Sequence, residues 1–134
     1  MRKLLMFVVT VACLGLTGCA RHHQPTPEER SMAMQKNWVY PTEYQTTIKN
    51  YWHGRLIDPT SPLFEFSTPR KGYFASGALR EKSITWGWIV DYTINAKNRM
   101  GGYTGWKAHR TFIVNEQVIC DTGTSIVCNM EAIE

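Results

Sequence analysis

The chain has 134 residues, a length for one domain that excludes a large multidomain enzyme. Apolar residues make up 43% and charged residues 19%, which excludes a chain disordered by composition, and the 12% aromatic share can supply a core. Fifteen basic residues against 11 acidic ones give a formal charge of +4, and the meaning of that balance depends on where the positive charges sit.

Two of them, Arg2 and Lys3, precede an almost unbroken apolar run of 13 residues at 4–16. A membrane-spanning helix needs about 20 such residues. The run instead has the length of a signal-peptide core, and it ends in Leu16-Thr17-Gly18-Cys19. Basic start, apolar core and terminal motif together resemble the signal and lipobox of bacterial lipoproteins. The resemblance implies diacylglyceryl transfer to the Cys19 sulfur, cleavage before Cys19, and often acylation of the new amine. Two or three acyl chains meet the requirement for stable membrane anchoring. An ordinary signal peptide that happens to end in Cys is the alternative. Cleavage removes 18 of the 134 residues and leaves 116, with 13 basic against 11 acidic, so the charge falls to +2. A nucleic-acid partner, which needs a dense basic face, is not expected. Ala20, not Asp, follows the cysteine; by the same resemblance this favours the outer membrane, facing the periplasm, in enteric-type bacteria.

Residues 19–41 read as a lipidated tether, and 42–134 as a single globular domain. Within the tether, Thr26-Pro27-Glu28-Glu29 is a capping box with Pro at the first helical position, predicting a short helix to about Lys36. Met32 and Met34 form no helical stripe, so this helix is expected to sit loosely. His22 and His23 read as polar residues beside the lipid, not as a metal pair.

A stronger helix follows, with Thr42 as expected cap and Gln45 as its reciprocal partner. Tyr44, Ile48, Tyr51, Trp52, Arg55 and Leu56 fall on one face. The helix must stop before Asp58-Pro59, because the residue before proline is pushed out of helical geometry. The period then changes to two. Residues 63–66 and 71–75 are short strands, and 77–82 a turn. The clearest strand is 84–96, with Trp86, Trp88, Val90, Tyr92, Ile94 and Ala96 on one face and Thr85, Gly87, Asp91, Thr93 and Asn95 on the other. Residues 106–114 follow, with Trp106, Ala108, Phe112 and Val114 expected inward, and Val118 opens a last strand to Asp121. The expected class is α+β, one main N-terminal helix packed on an antiparallel sheet of about four to five strands.

Of the four cysteines, Cys13 leaves with the signal and Cys19 carries lipid. Cys120 and Cys128 remain, in an oxidising compartment that favours a disulfide. The intervening Asp121-Thr122-Gly123 signals a turn, and a hairpin flanked by Ile126-Val127 would set the two cysteines opposite each other. A metal site is not expected, since two cysteines without a histidine pair are half a ligand set. A Cys nucleophile with His109 as base is the competing reading.

Between the two long strands, residues 95–106 combine three glycines, two asparagines and two cations. Backbone amides at Gly101 and Gly102, with Lys97 and Arg99 near, form a candidate anion cradle, and Tyr103 and Trp106 a candidate stacking surface. Asn95 and Asn98 complete this candidate loop. Glycine and asparagine equally serve a tight connection with nothing bound. Asp58-Pro59-Thr60-Ser61, Asn95-Ala96-Lys97-Asn98 and Gly101-Gly102-Tyr103-Thr104-Gly105 resemble a set of small exported bacterial proteins of uncharacterised function, which implies only a small envelope protein.

The functional expectation is a membrane-anchored, non-catalytic interaction or structural component, working with another envelope protein or complex and without a cofactor. The alternative is a binding module or inhibitor that uses the 95–106 loop against peptidoglycan, a glycan or a lysozyme. A hydrolase built from His53, His109, Asp58, Asp91, Glu65 and Ser83 is the third reading; no nucleophile elbow, metal-ligand pair or close carboxylate pair supports it in the sequence.

Overall fold

The computed structural model describes residues 23–77, 83–125 and 128–133. The signal run, Cys13, the lipobox with Cys19, His22, residues 78–82 of the expected turn and the Ile126-Val127 pair lie outside the described residues.

The fold is α+β, with two helices and a six-stranded antiparallel sheet among the described residues. Helix α1 (Pro27–Gln35) starts as its sequence dictates. Thr26 Oγ1 accepts from the Glu29 amide, and the Glu29 carboxylate accepts from the Thr26 amide at 2.7 Å. The segment expected as a loose tether is nonetheless folded onto the sheet. Pro25, Ala33 and Pro41 are buried. Ala33 packs against Tyr73, Ala75 and Ile133, while Met32 and Met34 stay exposed. One small residue suffices because the following chain folds back. The Trp38 indole donates to the Ala33 carbonyl at 2.5 Å, and the Trp88 indole to the Val39 carbonyl at 3.0 Å.

Helix α2 (Tyr44–His53) buries Ile48 and Trp52. Its cap differs from expectation. Thr42 is taken into a turn, donating its amide to the Tyr40 carbonyl, so the N-cap falls one residue later, on Glu43, with no side-chain cap hydrogen bond. Gln45 reaches Tyr44, not Thr42. Arg55 is exposed instead of packed inward; its guanidinium lies 3.7 Å from the Tyr51 ring centroid and donates to the Tyr51 carbonyl. A long cationic stem covers an aromatic face while its charge stays in water.

Strands β1 (Leu63–Phe66) and β2 (Arg70–Ser76) lie in tandem along one edge of β3 (Ser83–Asn95), and β4 (Lys107–Val114) pairs along the other. β5 (Gln117–Asp121) continues from β4, and β6 (Met130–Ala132) closes on β2, giving the order β5-β4-β3-β2-β6. β6 has only three residues, too few for a periodic signal, which is why the sequence suggests fewer strands.

One face of this sheet carries α2. Ile48 and Trp52 sit on Val90, Tyr92, Ile94 and Ile113, with Phe64, Phe66 and Val118 at the margin. The register reverses the inward set expected on β4. Tyr92 pairs with His109, Val90 with Thr111 and Trp88 with Ile113, so the residues under the helix are His109, Thr111 and Ile113. Ala108 is exposed and Trp106 half exposed. Thr111 is tolerated inside because its hydroxyl donates to the Cys120 carbonyl at 3.1 Å.

Phe112 is buried on the opposite face, where none of the described helices lies, because the sheet curls. Flat, the edges β5 and β6 would stand about four strand spacings, roughly 19 Å, apart. Cys120 on β5 and Cys128, two residues before β6, are instead bonded, with Cα atoms 5.8 Å apart. Phe112 and Ile89 are fully buried within the curl. Gly87 permits it: a Cβ there would meet the Ile113 carbonyl at 2.6 Å and the Phe112 ring at 2.8 Å. Cys120 and Cys128 are paired as expected, and their bond joins the two sheet edges; the Ile126-Val127 arm of the expected hairpin lies outside the described residues.

Replacing both cysteines by serine is expected to cost about 2.5 kcal/mol, the loop-closure value for so short a loop. Thermal unfolding of the oxidised protein and the double variant measures it. The single Cys120→Ser variant should match the double, and an equal melting temperature in oxidised and double-variant protein would contradict the expectation.

Candidate functional site

The 95–106 loop is a tightly built turn. Lys97 and Tyr103 form a bridge at its base, where the Lys97 ammonium lies 5.2 Å from the Tyr103 ring centroid. The Asn98 carboxamide oxygen accepts from the amides of Met100 and Gly102, and the Asn95 oxygen accepts from the amide of Gly105, each at 3.0 Å. The Gly101 amide donates to the Asn98 carbonyl. Amides expected to cradle an anion are therefore already taken by the loop's own asparagines. Gly101 has φ +80°, which explains a glycine there without a ligand. Tyr103 donates to the Ser61 carbonyl at 3.0 Å, holding the loop to the 58–62 turn. Arg99 and Trp106 remain exposed.

The side chains weighed for hydrolysis do not converge. Asp58 accepts from Thr60 and Ser61 within one turn, and those hydrogen bonds, Ser61's first, hold its pKa down at about 2. Asp91 lies on the Phe112 face between two guanidiniums, 2.5 Å from both Arg70 and Arg110. Burial alone would raise its pKa, but Arg110 and Arg70 hold it below the carboxylate range. Ser83 meets Ser76, Glu65 faces Thr93, and His53 is exposed at the end of α2. The disulfide removes the Cys nucleophile.

His109 has other company. The Trp52 indole donates to Tyr92 Oη at 2.6 Å, and Tyr92 donates to Asp121 Oδ2 at 2.5 Å. The amide of Gly123 donates to Asp121 Oδ1 at 2.8 Å, and His109 Nδ1 stands 3.6 Å from that oxygen. The imidazole is stacked on Tyr92 and edge-on to Trp52. Gly123 seals the cluster, since a Cβ there would fall 2.1 Å from His109 Nδ1. Asp121 is fully buried. Burial and the adjacent carboxylate push the Tyr92 phenol well above its ordinary range. Asp121 escapes a sequence reading because it looks like turn chemistry; only its strand pairing with Thr111 places it inside.

Burial lowers the pKa of His109. Asp121 pulls the other way but stands beyond hydrogen-bonding distance, and Nδ1 has no hydrogen-bond partner among the described residues. Unfolded, the imidazole titrates near 6.5. As pH falls below that value, the unfolded chain takes up the proton first, so stability is complete above about 6.5 and declines toward the lower folded value. Asp91 adds a loss of the same sign below its ordinary 3.8. The melting temperature is expected to drop between pH 7 and 5, and His109→Phe to flatten that slope. A variant that keeps the wild-type slope would assign the titration to another group.

A second feature lies on the helix-bearing face, at the end of the sheet that α2 leaves uncovered. The chain between α1 and α2 folds over Trp86 and Trp88 and leaves a cleft of about 500 Å³ toward the β4–β5 turn. Trp38 and Tyr40 meet the Trp88 ring edge-on, at 5.7 and 5.3 Å between centroids. Asn115 and Glu116, both at positive φ, form the opposite rim. Trp86 and Trp88 were visible in the alternating pattern, but their partners come from the segment expected as a tether. Among the described residues, no three His, Cys, Asp or Glu side chains are grouped to hold a metal ion, and no helix is long and apolar enough to cross a membrane.

No protein-family model, curated protein or solved structure matches this chain.

Proposed function

We propose that this chain is a membrane-anchored lipoprotein of the bacterial envelope, acting as a non-catalytic interaction or structural component on the periplasmic side of the outer membrane. The lipobox Leu16-Thr17-Gly18-Cys19 supplies the anchor. The observation that carries the reading is the Cys120–Cys128 bond across the two sheet edges, a closure suited to an oxidising compartment. Packing that begins at Pro25 supports close presentation. Residues 19–24 span at most about 20 Å when extended, so the domain stays beside the leaflet. A non-catalytic role is supported by the Asp121 carboxylate being taken up by the Tyr92 hydroxyl and the Gly123 amide, with Trp52 packed edge-on against the His109 ring.

The partner is another envelope protein or complex. Mild detergent extraction after crosslinking in intact cells should recover it with the wild-type protein. Cys19→Ser should move the chain to the soluble fraction and reduce that recovery. Recovery of the chain alone, with sacculi and lysozyme also failing to bind it, would remove the interaction role.

A further inference from the structure

We infer that the end of the sheet formed by residues 97–107 is the docking tip of this protein, and that its occupant is an acidic face of a partner protein. The inference names the surface and the kind of partner for the interaction role above, and rests on that role. Lys97, Arg99 and Lys107 give the tip three cations, and no Asp or Glu falls between Asp91 and Glu116. None of the three forms an ion pair among the described residues, whereas Arg70 and Arg110 are both spent on Asp91. Asp58 and Glu65 lie at the same end but are engaged on their own elements. Asp58, whose charge reaches Lys97, accepts from Thr60 and Ser61, and Glu65 accepts from Thr93.

Apolar surface is mixed with this charge. Met100 is 95% exposed, and Tyr103 and Trp106 are exposed by 46% and 48%. Arg, Tyr, Trp and Met are the side chains enriched where proteins meet. Asn95, Asn98 and the Tyr103 hydroxyl already hold the loop in shape, so docking has little left to order. Carboxylates suit the cations, Arg99 above all, since its planar fork matches their two oxygens. Three cations among aromatic and thioether side chains make no phosphate track for a nucleic acid.

The place of the tip favours a protein over the anionic leaflet. His23 and Gln24 lie beside Tyr73 and Ala75, and Ala75 pairs with Ile84 near the start of β3. From there β3 rises roughly 35 Å to Asn95. The lipid therefore enters at one end of the sheet, on a tether of at most about 20 Å, and the tip stands at the other.

The test replaces Met100 with the photoreactive residue p-benzoylphenylalanine in the full-length lipoprotein and illuminates intact cells. Thr46, exposed on α2, carries the same residue as a control. A discrete protein adduct is expected at position 100, and mass spectrometry should find net negative charge on the crosslinked peptide of the partner. Arg99→Glu with Lys107→Glu should lower the yield at least about tenfold, through like-charge repulsion, with an unchanged melting temperature. Arg99→Ala, a milder change on the same exposed loop, should lower it about threefold. A lipid or peptidoglycan adduct, an adduct to a second copy of this chain, or a neutral or basic partner peptide would overturn the inference. So would a yield that charge reversal leaves unchanged. Absence of any protein adduct at position 100 would also overturn it; an adduct at Thr46 alone would then leave the interaction role standing with a different surface.

Discussion

Phe112→Ala is expected to destabilise the protein by about 3–5 kcal/mol, the range for removing a fully buried phenylalanine. Phe112 is completely buried, stacks obliquely on Phe74 at 5.8 Å between centroids, and lies over Gly87. Its surroundings cannot collapse to fill the space. The Cys120–Cys128 bond pins the edges of the curl, and β4 is held between β3 and β5. Urea denaturation followed by near-ultraviolet circular dichroism gives the difference directly. Trp106→Ala, half exposed on the same side of the chain's turn into β4, should shift stability by under about 0.5 kcal/mol. Equal losses in the two variants would mean that the sheet does not curl around Phe112.

The second large effect is expected at Asp121. Removing this buried carboxylate by Asp121→Ala leaves the Tyr92 hydroxyl and the Gly123 amide without their acceptor, and the Trp52–Tyr92 bond without its continuation. Unsatisfied buried donors cost about 1–3 kcal/mol each, so a loss of about 3 kcal/mol or more is expected. Asp121→Asn keeps one acceptor oxygen and should lose less. Tyr92→Phe strands the Trp52 indole N–H but leaves the Asp121 carboxylate its bond from the Gly123 amide, so it should lose less than Asp121→Ala. Chemical denaturation of the three variants orders them. Asp121→Ala as the mildest of the three would show that the carboxylate is not the centre of the network.

How far the sequence carries this fold depends on what each residue had to signal. The capping box at Thr26 and Glu29 is local chemistry and forms as written. The alternation over 84–96 marks β3 because helix packing covers one face along much of its length. The same logic misleads on β4. Phe112 and Ala108 share a parity, so hydrophobicity alone points that face toward the helix. The helix in fact lies over His109, Thr111 and Ile113, and two of these are polar residues satisfied or sealed inside. No local pattern announces that Phe112 is buried by curvature. The 95–106 loop was legible as a turn, but which acceptors its amides would find was not. Asn95 and Asn98 could equally have faced a ligand, and they face the loop's own backbone. The aromatic cleft depends on contacts between residues about 50 positions apart, such as Trp38 with Trp88, which no periodicity reports.

The most direct test of the anchored-lipoprotein account is the intact mass of the protein extracted in detergent, wild type and Cys19→Ser, after alkylation of free thiols. The account predicts cleavage before Cys19, an added mass of two or three acyl chains that Cys19→Ser abolishes, and no alkylation of Cys120 or Cys128. An unacylated chain with both thiols alkylated would contradict the anchor, the compartment and the disulfide together.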